Sequence, residues 1–184
     1  SIQWPCNQAN PNGTPIMHVD EFVRGKGFFA VTDYVATDEK VTKRFPLLLT
    51  TGRILSQYNV GAQTRRTQNM DWHSEDVLEI HPHDAEYRGI FDGDRLQVSS
   101  RAGDTQLKAT VTDRVQPGVV YTTFHHPETG VNVITTENSD WATNCPEYKV
   151  TAVEVRKMMG HSDWQARYER FSQQQVEFFN EAET

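Results

Sequence analysis

Hydrophobic and polar residues alternate along several short stretches in the middle of the chain, a pattern typical of strands with one buried face. Leu96 and Val98 share one face of such a stretch, and Leu107, Ala109 and Val111 share one face of the next. We predict six strands, over Phe45–Thr51, Val77–His81, Arg95–Ser100, Thr105–Thr112, Val119–His126 and Lys149–Val155. Short strands at this spacing, separated by turns that contain Gly or Pro, predict a barrel or a sandwich.

Three further segments have patterns of their own. A short helix is predicted over His83–Arg88, because Pro82 suits a first helical turn and Gly89 suits a left-handed cap. The polar stretch Asn59–Asn69 is predicted to be a loop. Asp163–Glu181 is predicted to be one amphipathic helix, which follows a capping box and carries an aromatic stripe of Trp164, Tyr168, Phe171 and Phe178.

These elements suggest three parts. Residues 1–46 are punctuated by Pro and Gly and are predicted to be an irregular lead-in. Residues 47–157 are predicted to form the β domain, and residues 158–184 a helical tail.

Composition and charge exclude several classes of protein. The 184 residues are 36% hydrophobic and contain no stretch near the roughly 20 apolar residues of a membrane helix, so no membrane insertion is expected. The net charge of −7 argues against sequence-independent nucleic-acid binding. Cys6 and Cys145 cannot form a disulfide framework, which favours a soluble, cytoplasmic protein.

The charge is unevenly distributed along the chain. Lys40–Met70 contains six basic residues and no acidic one. This stretch is either a solvated basic face or an anion site, since Arg, Lys and backbone N–H groups hold anions best without carboxylates nearby.

Candidate catalytic and metal-binding residues are few. His81 and His83 resemble a hydrolase metal pair, but a helix start at Pro82 explains the same pattern. At the end of a predicted strand, alternation sends the rings of His125 and His126 to opposite sides, so that one of them faces a ligand or both are exposed. We predict no catalytic residue and no metal ligand in this chain.

Several long motifs in fixed order carry a resemblance to a known family. TTGRILSQYNVGAQTRRT (Thr50–Thr67) resembles the signature of the C-terminal molybdopterin-dinucleotide-binding domain of the DMSO reductase superfamily. The motifs that follow begin at His81, as HPHDAEYRGIFDGDRLQVSSRAGDTQLKATVTDRVQPGVVYTTFHH, then read GVNVITTEN and CPEYKVTAVEV. With the lead-in SIQWPC and GTPIMHVDEFVRGKGFF, the chain is most similar to the large (alpha) subunit of molybdenum- or tungsten-dependent formate dehydrogenases.

The resemblance implies a fold and a role. The expected fold is mainly β, a six-stranded double-psi β-barrel with short helices and a C-terminal amphipathic helix. The chain would be the last domain of a larger oxidoreductase, binding bis-molybdopterin guanine dinucleotide with molybdenum or tungsten. Its partners would be the remaining domains of the large subunit, which carry the catalytic residues and an iron–sulfur cluster, and electron-transfer subunits.

The family motifs also imply cofactor-binding residues. They are Arg53, Ile54, Gln57, Asn59, Phe124, His125, Asn132, Tyr148 and Lys149. Some relatives have His where Gln57 stands and Tyr where Phe124 stands, which alters hydrogen bonding at these two positions. Arg101 lies on a turn and is not among these residues, so it is expected to be dispensable for cofactor binding.

Two alternatives stay open at this point. One is the same domain in another member of the superfamily, such as a nitrate reductase. The other is a free-standing double-psi barrel that binds protein partners. The sequence specifies neither the metal nor the electron acceptor.

Overall fold

The structure of the chain is a computed structural model that describes residues 6, 8–13, 21–22, 25–158, 167–168 and 170–173. The chain divides into two compact units, Ser1–Ala36 and Thr37–Thr184. The described residues of the first unit form no helix or strand, and Phe28, Phe29 and Tyr34 among them are exposed.

The second unit contains a closed barrel of six strands. They are β1 (Leu47–Gly52), β2 (Val77–Ile80), β3 (Arg95–Ser99), β4 (Asp104–Val111), β5 (Val119–Thr123) and β6 (Thr151–Lys157). The strands follow the order β1-β5-β2-β4-β3-β6 around the barrel. β1 pairs in parallel with β5, and β2 with β4, whereas the other four pairings are antiparallel. The predicted double-psi barrel is confirmed.

The core lies inside this barrel because alternate residues of each strand point inward. In β1, Leu47 and Leu49 are buried while Leu48 and Thr50 are only half-buried. The same alternation in the other strands supplies further buried side chains, among them Leu78, Ile80, Leu96, Val98, Leu107, Val120, Val153 and Val155.

The short helices lie between the strands. A 3₁₀ turn at Thr64–Arg66 lies within the segment predicted to be a loop, and α1 (Asn69–Trp72) begins at the last residue of that segment. α2 (Pro82–Tyr87) confirms the predicted short helix but begins one residue earlier, because His81 caps it by accepting a hydrogen bond of 3.1 Å from the backbone N–H of His83. No helix among the described residues is long and apolar enough to cross a lipid bilayer.

The predicted strand Val119–His126 is too long by three residues. The structure ends β5 at Thr123, and both His125 and His126 are buried. Their backbone N–H groups donate to the carboxylate of Asp76 instead of a neighbouring strand. The expectation that the two histidines end a strand is therefore wrong, and so is the alternative that both rings are exposed.

The predicted C-terminal helix lies mostly outside the described residues. Residues 167–168 and 170–173 are helical, which agrees with the prediction for that part. Trp164 and Phe178 of the predicted aromatic stripe lie outside the described residues. Within them, Tyr168 is half-buried and Phe171 is exposed.

Candidate functional site

A cavity of about 310 Å³ opens where β1 and β5 end. The two strands are parallel and pair Gly52 with Thr123, so Arg53 and Phe124 leave the barrel side by side. The cavity is lined by Arg53, Phe124, Asn132, Thr135, Pro146 and Tyr148. None of these six residues is acidic, which suits an anionic or electron-rich ligand.

Four of the nine residues expected to bind the cofactor line this cavity: Arg53, Phe124, Asn132 and Tyr148. Thr135 and Pro146 also line it and were absent from the prediction, although both lie inside the quoted motifs GVNVITTEN and CPEYKVTAVEV. The missed signal was their proximity along the chain to predicted site residues. The other five predicted residues do not line the cavity: Ile54, Gln57, Asn59, His125 and Lys149.

Arg53 supplies an exposed positive charge at the mouth of the cavity. Its guanidinium carbon lies 5.3 Å from the centre of the Phe124 ring, in a cation–π contact. Its Nε and Nη2 donate hydrogen bonds of 3.3 and 3.1 Å to the side-chain oxygen of Asn59. Arg53 forms no ion pair with a carboxylate in the described part of the chain, so its charge and its remaining N–H groups are free to bind a ligand.

Phe124 and Tyr148 form the aromatic wall of the cavity. Their ring centres are 6.4 Å apart with an interplanar angle of 78°, an edge-to-face contact. Lys149 lies behind this wall rather than among its lining residues. Its ammonium group donates a hydrogen bond of 2.5 Å to the backbone carbonyl of Thr51 and lies 5.3 Å from the centre of the Tyr148 ring. Lys149 therefore joins the segment before β6 to the end of β1.

His125 is fully buried, and both of its ring nitrogens have partners. Nε2 accepts a hydrogen bond of 3.2 Å from the backbone N–H of Ile54, so Nδ1 carries the proton and donates to the backbone carbonyl of Asn59. The ring bridges the two ends of the loop that begins at Arg53. The His125 ring therefore holds this loop in place instead of lining the cavity, and Ile54 contributes its backbone N–H to that contact.

Asn59 and Gln57 serve the same loop. Asn59 has a left-handed backbone, with φ of 48°, and its side chain accepts the two hydrogen bonds from Arg53. Gln57 is buried, and its amide oxygen accepts a hydrogen bond of 2.7 Å from Thr64 while its nitrogen donates to the carbonyl of His73 at 3.4 Å. In this conformation the Gln57 amide holds the loop together and does not line the cavity.

Asp76 is a buried acidic residue behind the cavity that the sequence analysis did not single out. Its carboxylate is buried and accepts hydrogen bonds from the chain that follows β5: from the backbone N–H groups of His125 (3.1 Å) and His126 (2.9 Å), and from the side chains of Thr123, His126 and Thr129. Burial favours the neutral acid, but the donors, His126 foremost, outweigh it and lower the pKa of Asp76 to about 2. Nothing in the sequence around Asp76 marks it, because all these partners lie about fifty residues further on.

The basic stretch Lys40–Met70 is only partly available to a ligand. Arg65 forms an ion pair of 3.5 Å with Glu128, whereas Arg53 and Arg66 are exposed. Among the described residues there is no cluster of three or more His, Cys, Asp or Glu that could hold a metal ion. What the cavity offers chemically is therefore a guanidinium, an amide and two aromatic faces, which bind and orient a ligand.

Comparisons with known proteins identify what the chain is similar to. The family described as Molydopterin dinucleotide binding domain matches residues 47–152. The chain is 39% identical over 160 residues to the F420-dependent formate dehydrogenase 1 subunit alpha of Methanococcus maripaludis, covering 85% of this chain and 24% of that protein. It is 29% identical over 160 residues to the assimilatory nitrate reductase catalytic subunit of Bacillus subtilis, covering 84% of this chain and 22% of that protein.

The fold also matches a solved structure. Acetylene hydratase from Pelobacter acetylenicus aligns with a TM-score of 0.54 at 18% identity, over 63% of this chain and 19% of that one. At this identity the likeness concerns the fold alone. The chain spans about a quarter of the length of the curated relatives it matches.

Proposed function

The chain belongs to the Molydopterin dinucleotide binding domain family, and from this premise we propose that its Arg53–Phe124 cavity binds a molybdopterin guanine dinucleotide within a formate dehydrogenase alpha subunit. The observation that carries the proposal is the exposed guanidinium of Arg53, which lies beside an aromatic wall in a cavity whose lining contains no carboxylate. Guanidinium forks suit pyrophosphate oxygens, and aromatic faces suit flat heterocycles.

The residues present fit this cofactor. Arg53 would donate charge-assisted hydrogen bonds, Asn132 would supply amide donors and an acceptor, and Phe124 and Tyr148 would exclude water from one side. Gln57, Ile54 and His125 would keep the loop in place, and Lys149 would hold the end of β1. When bound, the cofactor supplies the two-electron redox centre, while this chain binds and orients it and contributes no proton transfer or metal ligand.

The whole protein would oxidise formate to carbon dioxide and release two electrons and a proton. The metal, molybdenum or tungsten, and an iron–sulfur cluster would be held by the rest of the subunit, and separate electron-transfer subunits would accept the electrons. We place the enzyme in the cytoplasm. Residues 47–157 would be the cofactor-binding part, with 1–46 as lead-in and 158–184 as tail.

The second candidate is the same domain in a nitrate reductase, which the similarity to the Bacillus subtilis enzyme favours. The identity is lower there, 29% against 39% for the formate dehydrogenase alpha subunit. Assay of the full-length protein with formate and with nitrate separates the two. The mass of the native gene product distinguishes both candidates from a free-standing barrel that binds protein partners. For a free-standing barrel it would be near 21.1 kDa, with no larger species.

Arg53→Ala in the full-length polypeptide tests the binding site. Loss of a charge-assisted hydrogen bond costs about 1.5–3 kcal/mol, or roughly ten- to a hundred-fold in affinity. The measurement is metal and guanine nucleotide per purified polypeptide, together with formate oxidation. We expect cofactor content to fall and activity per bound metal to fall less.

The matched control is Arg156→Ala. Arg156 lies on β6, is exposed, and forms its ion pair within the described residues with Glu154, at 3.7 Å. This variant should keep its cofactor. Full cofactor content and full activity in Arg53→Ala would remove the proposed role of the cavity.

A further inference from the structure

The carboxylate of Asp76 has no exposure to solvent and stands immediately before β2. Among the described residues its one ion-pair partner is His126, whose Nδ1 lies 3.1 Å from Oδ1, and no Lys or Arg pairs with it. Burying a carboxylate without a cationic Lys or Arg is costly unless several donors satisfy its oxygens. Packing alone therefore does not account for an acidic residue at this position.

The donors to Asp76 come from one short segment, residues 123–129, which begins where β5 ends. Two successive backbone N–H groups, of His125 and His126, donate to it at 3.1 and 2.9 Å, and Thr129 Oγ1 lies 2.7 Å from Oδ2. The Asp76 carboxylate thus accepts the backbone hydrogen bonds that a neighbouring strand would otherwise accept. It turns the chain out of the barrel at the position where Phe124 joins the cavity wall.

A chain of contacts runs from this segment to the mouth of the cavity. Asp76 fixes the backbone of His125, and the His125 ring binds the N–H of Ile54 and the carbonyl of Asn59. The Asn59 side chain then accepts both hydrogen bonds from the Arg53 guanidinium. This series of contacts connects the Arg53 guanidinium to His125 and, through its backbone, to Asp76.

We propose that Asp76 is a positioning residue: through His125 and Asn59 it holds the Arg53 guanidinium over the Phe124 ring and so preorganises the cavity for its ligand. Its importance for ligand binding rests on the function proposed above, but the positioning itself does not. Preorganisation matters because a loop ordered before binding does not have to lose that freedom on binding.

The test compares Asp76→Asn with Asp84→Asn in the full-length polypeptide. Asp84 is a matched control because it is also buried and also accepts a backbone hydrogen bond, 2.6 Å from Gly118, but at the opposite end of β5. Amide hydrogen exchange of residues 53–60 is measured relative to residues 95–99 of β3. Guanine nucleotide per polypeptide is measured on the same samples.

We expect Asp76→Asn to speed exchange in residues 53–60 by about tenfold relative to 95–99, and to lower nucleotide content. Asp84→Asn should lower the melting temperature without changing that ratio. Faster exchange with full nucleotide content would support the positioning role and count against the proposed use of Arg53. An unchanged ratio in Asp76→Asn, or the same change in both variants, would overturn the positioning role.

Thr129→Val gives a milder variant in case Asp76→Asn does not fold. It removes the hydroxyl that lies 2.7 Å from both Oδ2 and the backbone carbonyl oxygen of His126, and leaves the carboxylate, the two backbone donors and the barrel strands intact. The exchange ratio should rise in the same direction but by less. A soluble Thr129→Val protein with the wild-type ratio would also contradict the proposal.

Discussion

The phenol ring of Tyr121 lies directly against the backbone of Gly52. A Cβ atom added at Gly52 would be 2.6 Å from the Tyr121 hydroxyl oxygen and 2.7 Å from its Cε2. The same hydroxyl donates a hydrogen bond of 3.1 Å to the backbone carbonyl of Arg53. The absence of a side chain at Gly52 therefore allows Tyr121 to fix the residue that begins the cavity.

Gly52→Ala should destabilise the fold by about 1–3 kcal/mol, because the Tyr121 ring must move and its hydrogen bond to Arg53 is lost. Thermal or urea unfolding measures this. In a Tyr121→Val background the same Gly52→Ala change should be much less costly, since the clash is then gone. Gly27→Ala is the control, because no atom lies within 4 Å of its added Cβ. An equal cost of Gly52→Ala with and without the Tyr121→Val change would contradict this interpretation.

Arg101→Ala should destabilise the protein while leaving cofactor content unchanged. Arg101 Nη1 donates a hydrogen bond of 2.5 Å to the buried carboxylate of Glu39, which also accepts 2.8 Å from the backbone N–H of Ala152 in β6. Removing the guanidinium leaves that carboxylate without its charged partner. We expect a cost of about 2 kcal/mol, below that of a fully buried pair because Arg101 is partly exposed.

The measurement is urea unfolding of Arg101→Ala beside Glu39→Gln and the double variant. If the pair is coupled, the double variant should lose less stability than the two single losses added together. Additive losses would show that the contact contributes little.

Acid should weaken the fold through Asp76. Its pKa falls from the ordinary 3.8 to about 2 in the folded protein, so the folded state is favoured while the carboxylate is ionised. The contribution, about 2 kcal/mol, is present above pH 4 and is lost as the pH falls towards 2. Unfolding free energies between pH 5 and 2.5 should therefore fall less steeply for Asp76→Asn than for the wild type.

A residual acid dependence is expected in that variant. Hydrogen bonds from Thr143 and from the backbone N–H groups of Cys145 and Ala142 lower the pKa of the exposed Asp140 to about 2 as well. Parallel pH curves for wild type and Asp76→Asn would rule out Asp76 as a main source of acid sensitivity.

The strands were predictable because each one alternates hydrophobic and polar residues, and this pattern can be read from the residues of that strand alone. β1, β3 and β4 were predicted within two residues at each end. The end of β5 was not, because it is decided by Asp76, far away in the sequence. Strand order was beyond the pattern as well, since only the family resemblance implied how six short strands close into a barrel.

The candidate site was predictable to the extent that motifs carry it. Arg53 and Phe124, both taken from the motifs, line the cavity, but Gln57 turns its amide into the loop and Lys149 binds a backbone carbonyl. The directions of these two side chains depend on their partners, Thr64 for Gln57 and Thr51 for Lys149. Residue spacing does not predict these contacts. The same holds for Arg101, whose pairing with the buried Glu39 cannot be read from the sequence around it.

The place of β1 between β5 and β6 has a consequence for biosynthesis. Leu48 pairs with Val119 on one side and with Ala152 on the other, so β1 emerges from the ribosome long before either partner is translated. Such non-local pairing slows folding, and an apolar strand with two open edges invites aggregation. We therefore expect the nascent segment Leu47–Gly52 to need a chaperone until β6 has been synthesised.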